Sequence, residues 1–138
     1  MVFQDTIKIA PHGKGSSDIT ELITRIIKDS KIKIGTCQLF VQNSKTCLLI
    51  RETANESTRS QTVEFLAQLA PSSDCDTHAI DESMEAIPDE MRTALLQTSL
   101  SFPINLGRPA LGAWQGIFLW EVAPQPKERK LTITIIGE

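Results

Sequence analysis

Residues 111–121 read LGAWQGIFLWE, the longest mainly apolar segment of the C-terminal third. Two glycines, Gly112 and Gly116, bracket the Trp114–Gln115 pair, and a run of large apolar residues follows. Such a run reads as a buried β-strand. Strand parity puts Trp114, Gly116, Phe118 and Trp120 on one face and Gln115, Ile117, Leu119 and Glu121 on the other. Gln115 and Glu121 are then polar exceptions. Each is either a satisfied group in a core or a residue of a site.

Working outward, the C-terminal third is strand and turn. TSLSFPI (98–104) and KLTITII (130–136) flank the opening stretch, and NLGRP (105–109) and PQPKE (124–128) are short connections. The last strand is β-prone at the chain end, so it is expected inside a sheet or under another subunit. Toward the N-terminus, residues 2–10 set Phe3, Asp5, Ile7 and Ile9 against Gln4, Thr6 and Lys8, the alternation of a half-buried strand. PHGKGSSD (11–18) reads as a Gly/Ser loop; it is no phosphate loop, because no Ser or Thr directly follows Lys14.

Asp18 and Glu21 have the spacing of a capping box. Ile19, Leu22, Ile23, Ile26 and Ile27 then recur at helical spacing. Residues 34–41 and 46–50 read as strands, with Leu39 and Val41 on one face, and the short polar QNSK (42–45) predicts a hairpin between them. A second helix is expected over 56–70, buried through Val63, Leu66, Ala67 and Ala70 and stopped by Pro71. The acidic segment 72–87 reads as a loop, and Pro88 opens a third helix with Asp89 and Glu90 at its positive end. The order βαββαα followed by three strands predicts one α+β domain over 1–138, with largely antiparallel sheets and about three helices.

A chain of 138 residues suits one core, and 41% hydrophobic with 22% charged residues is the balance of a globular domain. A net charge of −3 argues against nucleic acid as a partner, since that binding needs a dense set of cations. No apolar run approaches membrane-spanning length, so no membrane partner is expected. Three cysteines without a CxxC pair, and no apolar secretory segment, predict free thiols in a cytoplasmic protein.

Chemistry-bearing residues are few. His12 lies in a Gly-rich loop. His78 lies among Asp74, Asp76, Asp81 and Glu82, neighbours that favour the imidazolium form. Their spacing matches no metal-ligand pattern, so neither a metal nor a cofactor is expected. Cys37 and Cys47 sit in apolar strands, where cysteine behaves as a small hydrophobe. Arg108, between Gly107 and the opening stretch, is placed either to grip a phosphate or carboxylate in its fork or to pair with a surface acid.

The chain resembles the secondary thiamine-phosphate synthase, or YjbQ-like, family. GRPALGAWQGIFLWE is similar to that family's Gly-Arg … Leu-Gly-Thr-Trp-Gln-Gly-Ile … Glu signature. FVQNSKTCLLIRE, VEFLAQLAP, ALLQTSLSFPI and RKLTITIIGE are similar to its other segments in the same order, so the resemblance covers nearly the whole chain. It implies a small α+β fold assembled as a homotrimer. The implied activity is a transferase reaction in which a thiazole phosphate displaces pyrophosphate from a pyrimidine pyrophosphate.

The resemblance also marks the site. Arg108, Trp114, Gln115 and Glu121 match, as do Glu52 and His78. Two histidine positions of the family fall on Asn43 and Glu90, and acidic or amide positions fall on Arg51, Asn55, Gln61 and Ala86. Asn43 hydrogen-bonds but does not titrate near neutrality, and Glu90 inverts the charge of a histidinium. Two readings follow. In one, the chain is a diverged, non-catalytic or weakly active protein with a residual site for a small phosphate-bearing ligand, held by Asn43, Glu90, Arg108, Trp114 and Gln115. In the other, it is a secondary thiamine-phosphate synthase with His78 and Glu52 as its catalytic residues.

Overall fold

A computed structural model describes residues 1–11, 15–52, 96–121, 123 and 127–138. Eight strands among them form two antiparallel sheets. The larger sheet has five strands in the order β1 (Val2–Ile9), β8 (Arg129–Gly137), β3 (Gly35–Val41), β5 (Ser99–Asn105) and β6 (Arg108–Pro109). The smaller has three, β2 (Gly15–Asp18), β7 (Gln115–Glu121) and β4 (Thr46–Glu52). The helix α1 (Thr20–Ser30) follows β2 directly.

The alternation of apolar residues explains where the core lies. Cys37, Leu39 and Val41 of β3, Leu100, Phe102 and Ile104 of β5, and Leu131, Ile133 and Ile135 of β8 turn to one side of the large sheet. They meet Ile19, Ile23 and Ile27 from the α1 segment, and Leu48, Ile117 and Leu119 from the small sheet. Each fully buried isoleucine contributes roughly 1.5–3 kcal/mol relative to exposure. The other face of the small sheet is buried as well: Cys47, Phe118 and Trp120 are covered yet lie outside this main cluster. Burial on both faces is why β7 reads as a nearly continuous apolar run rather than an alternating one.

The C-terminal strand β8 is interior, paired with β1 on one side and β3 on the other. Its backbone groups are therefore satisfied within the chain. Where β3 and β8 run past each other, Gly35 faces Gly137. A Cβ on either would collide with a backbone carbonyl, Ile136 O or Ile34 O.

Four expectations need correction. Residues 15–18 are not loop: they form β2, paired with β7 from Gly15↔Glu121 to Asp18↔Phe118. A strand reading GSSD has no apolar alternation to betray it; its partner strand supplies the ordering. The capping box does not form, because Asp18 still belongs to β2 and Ile19 is the N-cap residue, with no side-chain cap bond. The Asp18 carboxylate instead accepts from Thr20 N at 2.9 Å and Thr20 Oγ1 at 2.6 Å.

Residues 42–45 do not close a hairpin. Val41 pairs with Leu131 in the large sheet, whereas Thr46 pairs with Glu121 in the small one, so the connection crosses between sheets. Finally, the described residues hold one helix rather than about three. The segments expected to be helical at 56–70 and after Pro88 lie outside the described residues. The architecture is thus mostly antiparallel sheet with a single described helix.

Candidate functional site

The signature segment builds one wall of a cleft. Between β5 and β6 the chain reverses through Leu106 and Gly107, both at positive φ (52° and 74°), and Asn105 pairs with Arg108. Two central residues of that sign are the mark of the tightest hairpin turns. The turn delivers Arg108 to the surface. The chain then runs to β7 through 110–114, a loop pinned at both ends. Ala110 N donates to Pro103 O at 2.9 Å, and Gln115 N donates to Gly112 O at 3.1 Å. The Gln115 side chain returns the bond, its Oε1 accepting from Gly112 N at 2.8 Å.

The opposite wall is α1. Thr20, Thr24 and Lys28 are spaced by four and share one side of the helix. They line a shallow cleft of about 360 Å³ together with Arg108 and Gln115. Thr20 is locked: its hydroxyl donates to Asp18 and accepts from Ile117 N at 2.8 Å, which ties the helix start to β7. Thr24 Oγ1 donates to Thr20 O at 2.7 Å and keeps its lone pairs. No described carboxylate pairs with Lys28 or Arg108. The cleft therefore carries two uncommitted cations in a chain whose net charge is −3.

The residues singled out in the sequence do not all converge here. Arg108 and Gln115 share the cleft. Glu52 stands exposed at the end of β4, directly opposite Gln115 in register, and is not among the residues that line the cleft. Trp114 precedes Gln115 in the loop and is 73% exposed. Asn43 is elsewhere. Its Oδ1 accepts from Lys45 N at 2.7 Å, in the crossing that precedes Thr46. Thr46 is at the far end of β4 from Glu52, about 20 Å of strand away. His78 and Glu90 lie outside the described residues.

Glu121 is not a site residue in geometry. It is buried, and its carboxylate accepts from Thr46 Oγ1 (2.7 Å), Ala123 N (3.2 Å), and Arg129 Nε and Nη2 (2.9 and 2.7 Å). Arg51 faces the other side of the small sheet, with Nη2 donating to Ser16 Oγ at 2.7 Å and its guanidinium 4.4 Å from the Phe118 ring centroid. Cys37 is buried, and burial pushes its thiol up to about 12, far from a nucleophile's range.

Sequence reasoning missed Thr24 and Lys28. Their signal was present in the four-residue spacing along the polar side of α1. The apolar stripe of that helix was the feature the periodicity exposed, and its polar side gains meaning only once Arg108 is seen to line the same cleft.

Comparison with known proteins agrees with this fold. A family model described as UPF0047 protein YjbQ-like matches residues 5–138. The chain is 33% identical over 135 residues to UPF0047 protein sll1880 of Synechocystis, covering 98% of this chain and 92% of that protein. It is 26% identical over 139 residues to UPF0047 protein YjbQ of Escherichia coli O157:H7, covering 100% of both. Among solved structures, a YbjQ-like protein of unknown function from Sulfolobus solfataricus P2 superposes with a TM-score of 0.80 at 25% identity, covering 100% of this chain and 99% of that one. A hypothetical protein from Aeropyrum pernix K1 shares the fold at a TM-score of 0.73.

Proposed function

The chain belongs to the YjbQ/UPF0047 family, and from that premise we propose that it binds a small phosphate-bearing anion in the cleft between α1 and the β6–β7 connection. One observation carries the reading: Arg108, with no described acid to pair with, lines the same cleft as Gln115. A guanidinium offers five N–H donors in a fork that matches oxyanion geometry. Gln115 Oε1 is engaged by Gly112 N, so its amide NH₂ is the group left to face a ligand. Trp114 adjoins Gln115 in the chain and is exposed at the surface.

The reading is of binding rather than efficient turnover. Where the resemblance places histidines, this chain has Asn43 and Glu90, so proton transfer that rests on imidazoles at those two positions is lost, although a carboxylate at Glu90 can still act as a base. Titration calorimetry with pyrophosphate tests it. Saturable one-to-one binding that Arg108→Ala weakens about tenfold or more is expected. Absence of binding at millimolar pyrophosphate would end the proposal.

Thiamine-phosphate formation is the second reading, carried by the GRPALGAWQGI signature. Incubation with a pyrimidine pyrophosphate and a thiazole phosphate decides it: product well above buffer, lost in His78→Ala and Glu52→Ala, would replace the binding reading. Either reading is compatible with the homotrimer that the resemblance implies, for which light scattering should return three times the chain mass.

A further inference from the structure

We infer that Lys28, with Thr24 beside it, forms the second half of the anion site and makes it selective for dianions over monoanions. The inference rests on the proposed anion-binding reading and extends it to the wall of the cleft contributed by α1.

The placement is the first support. Lys28 and Arg108 come from different elements, α1 and β6, and line one cleft. Thr20 to Lys28 spans about 12 Å of helix axis. The cationic Lys28 end of that span lies toward the helix C-terminus, away from Thr20, whose hydroxyl is already used as both donor and acceptor.

The donor inventory is the second. The cleft offers the ammonium of Lys28, the guanidinium of Arg108 and the amide NH₂ of Gln115. Among the described side chains that line it, Thr24 adds acceptor lone pairs, its own proton being engaged by Thr20 O. A surface dominated by N–H donors from two walls fits a multivalent oxyanion, with Thr24 able to accept from a ligand hydroxyl. A cation in the last turn of a helix also complements the helix dipole without any ligand. That account leaves Arg108 on the opposite wall unexplained, and neither cation has a described acid for a partner.

Two cations brought to one cleft by different elements attract the second negative charge of a dianion as well as the first. A monoanion gains from one wall at a time. On this basis a dianion binds on the order of tenfold more tightly than a monoanion of similar size.

The test uses inorganic phosphate, predominantly dianionic at pH 8, and dimethyl phosphate, a monoanion, titrated into the full chain by calorimetry. The native protein is expected to prefer phosphate about tenfold. Lys28→Gln is expected to collapse that ratio toward one while dimethyl phosphate still binds, and Lys28→Arg to restore it. Lys28 is exposed, so the variant should fold, and an unchanged thermal transition checks this. A ratio unchanged in Lys28→Gln but lost in Arg108→Gln would overturn the role of Lys28 and leave the anion site standing. Failure of the native protein to bind either anion would overturn both.

Discussion

Glu121 of β7 and Arg129 of β8 hold each other through two parallel hydrogen bonds of 2.7 and 2.9 Å, and the pair joins the two sheets. Both side chains are removed from solvent, at 0% and 9% exposure. The carboxylate takes further bonds from Thr46 Oγ1 and Ala123 N, so the charge is paired and its lone pairs are used. This is the condition under which a buried ion pair is tolerated.

Breaking that pair on one side should be costly. Arg129→Met leaves a buried carboxylate without its cation, and a loss of about 3–5 kcal/mol is expected in urea unfolding. The double replacement Glu121→Leu with Arg129→Met removes both charges and should cost clearly less than the sum of the singles. Additive losses would show that the two side chains do not act as a pair. The Arg129 pKa is raised above its ordinary value, chiefly by the hydrogen bond to Glu121. A raised base keeps its contribution at every pH below its unfolded value, so arginine titration adds no slope to stability between pH 6 and 9 by this group.

The thiol of Cys37 gives a slope at alkaline pH. Burial raises it to about 12, whereas an unfolded thiol ionises near 8.5. Above pH ~8.5 the unfolded chain releases a proton that the native chain retains. Stability conferred by the protonated, buried thiol should therefore fall by up to about 1.4 kcal/mol per pH unit from there toward 12. Comparison with Cys37→Ala isolates the effect, since that variant should lack this part of the slope. Peptide mapping after iodoacetamide should find Cys37 unmodified in the native protein and modified in urea.

Leu106 is 78% exposed and sits at φ 52°, where a side chain with a branched Cγ gains nothing from burial and meets a steric penalty. Replacing it with Asn, or with Gly, suits the turn and should stabilise by about 1 kcal/mol. A rise in the urea midpoint at constant m-value is the expected result. A fall would mean that Leu106 makes contacts that outweigh its backbone strain.

Gln115 separates binding from support. Gln115→Glu keeps an oxygen for Gly112 N but replaces the amide donor with negative charge at the cleft. Stability should change by less than about 1 kcal/mol, while pyrophosphate affinity falls on the order of tenfold. Gln115→Leu should instead loosen the loop, seen as faster amide exchange at Gly112. Unchanged anion affinity in Gln115→Glu would place the ligand away from this residue.

Much of the fold was legible in the sequence because side-chain alternation is a local property. The alternation of Phe3, Ile7 and Ile9, of Cys37, Leu39 and Val41, and of Leu131, Ile133 and Ile135 marks strands with one buried face. The spacing of Ile19, Ile23 and Ile27 marks a helix face. The polar strand Gly15–Asp18 was not legible, because its order comes from hydrogen bonds donated and accepted by β7 rather than from any apolar pattern of its own. The short connection 42–45 suggests a hairpin by length alone, and length says nothing about which sheet each flanking strand joins.

The same division holds for the site. Arg108, Gln115 and the family resemblance could be read from one short segment, because the glycines, the arginine and the Trp-Gln pair all fall within residues 107–116. The sequence left open whether Glu121 was core or site. Folding is what commits Glu121 to Arg129, puts Asn43 at the far end of β4 from the cleft, and brings Lys28 and Arg108 to one cleft. Charge pairing and cleft formation depend on distances between segments far apart in the chain. Those distances are set by how α1 and the two sheets bury their apolar faces, and no local pattern records the result.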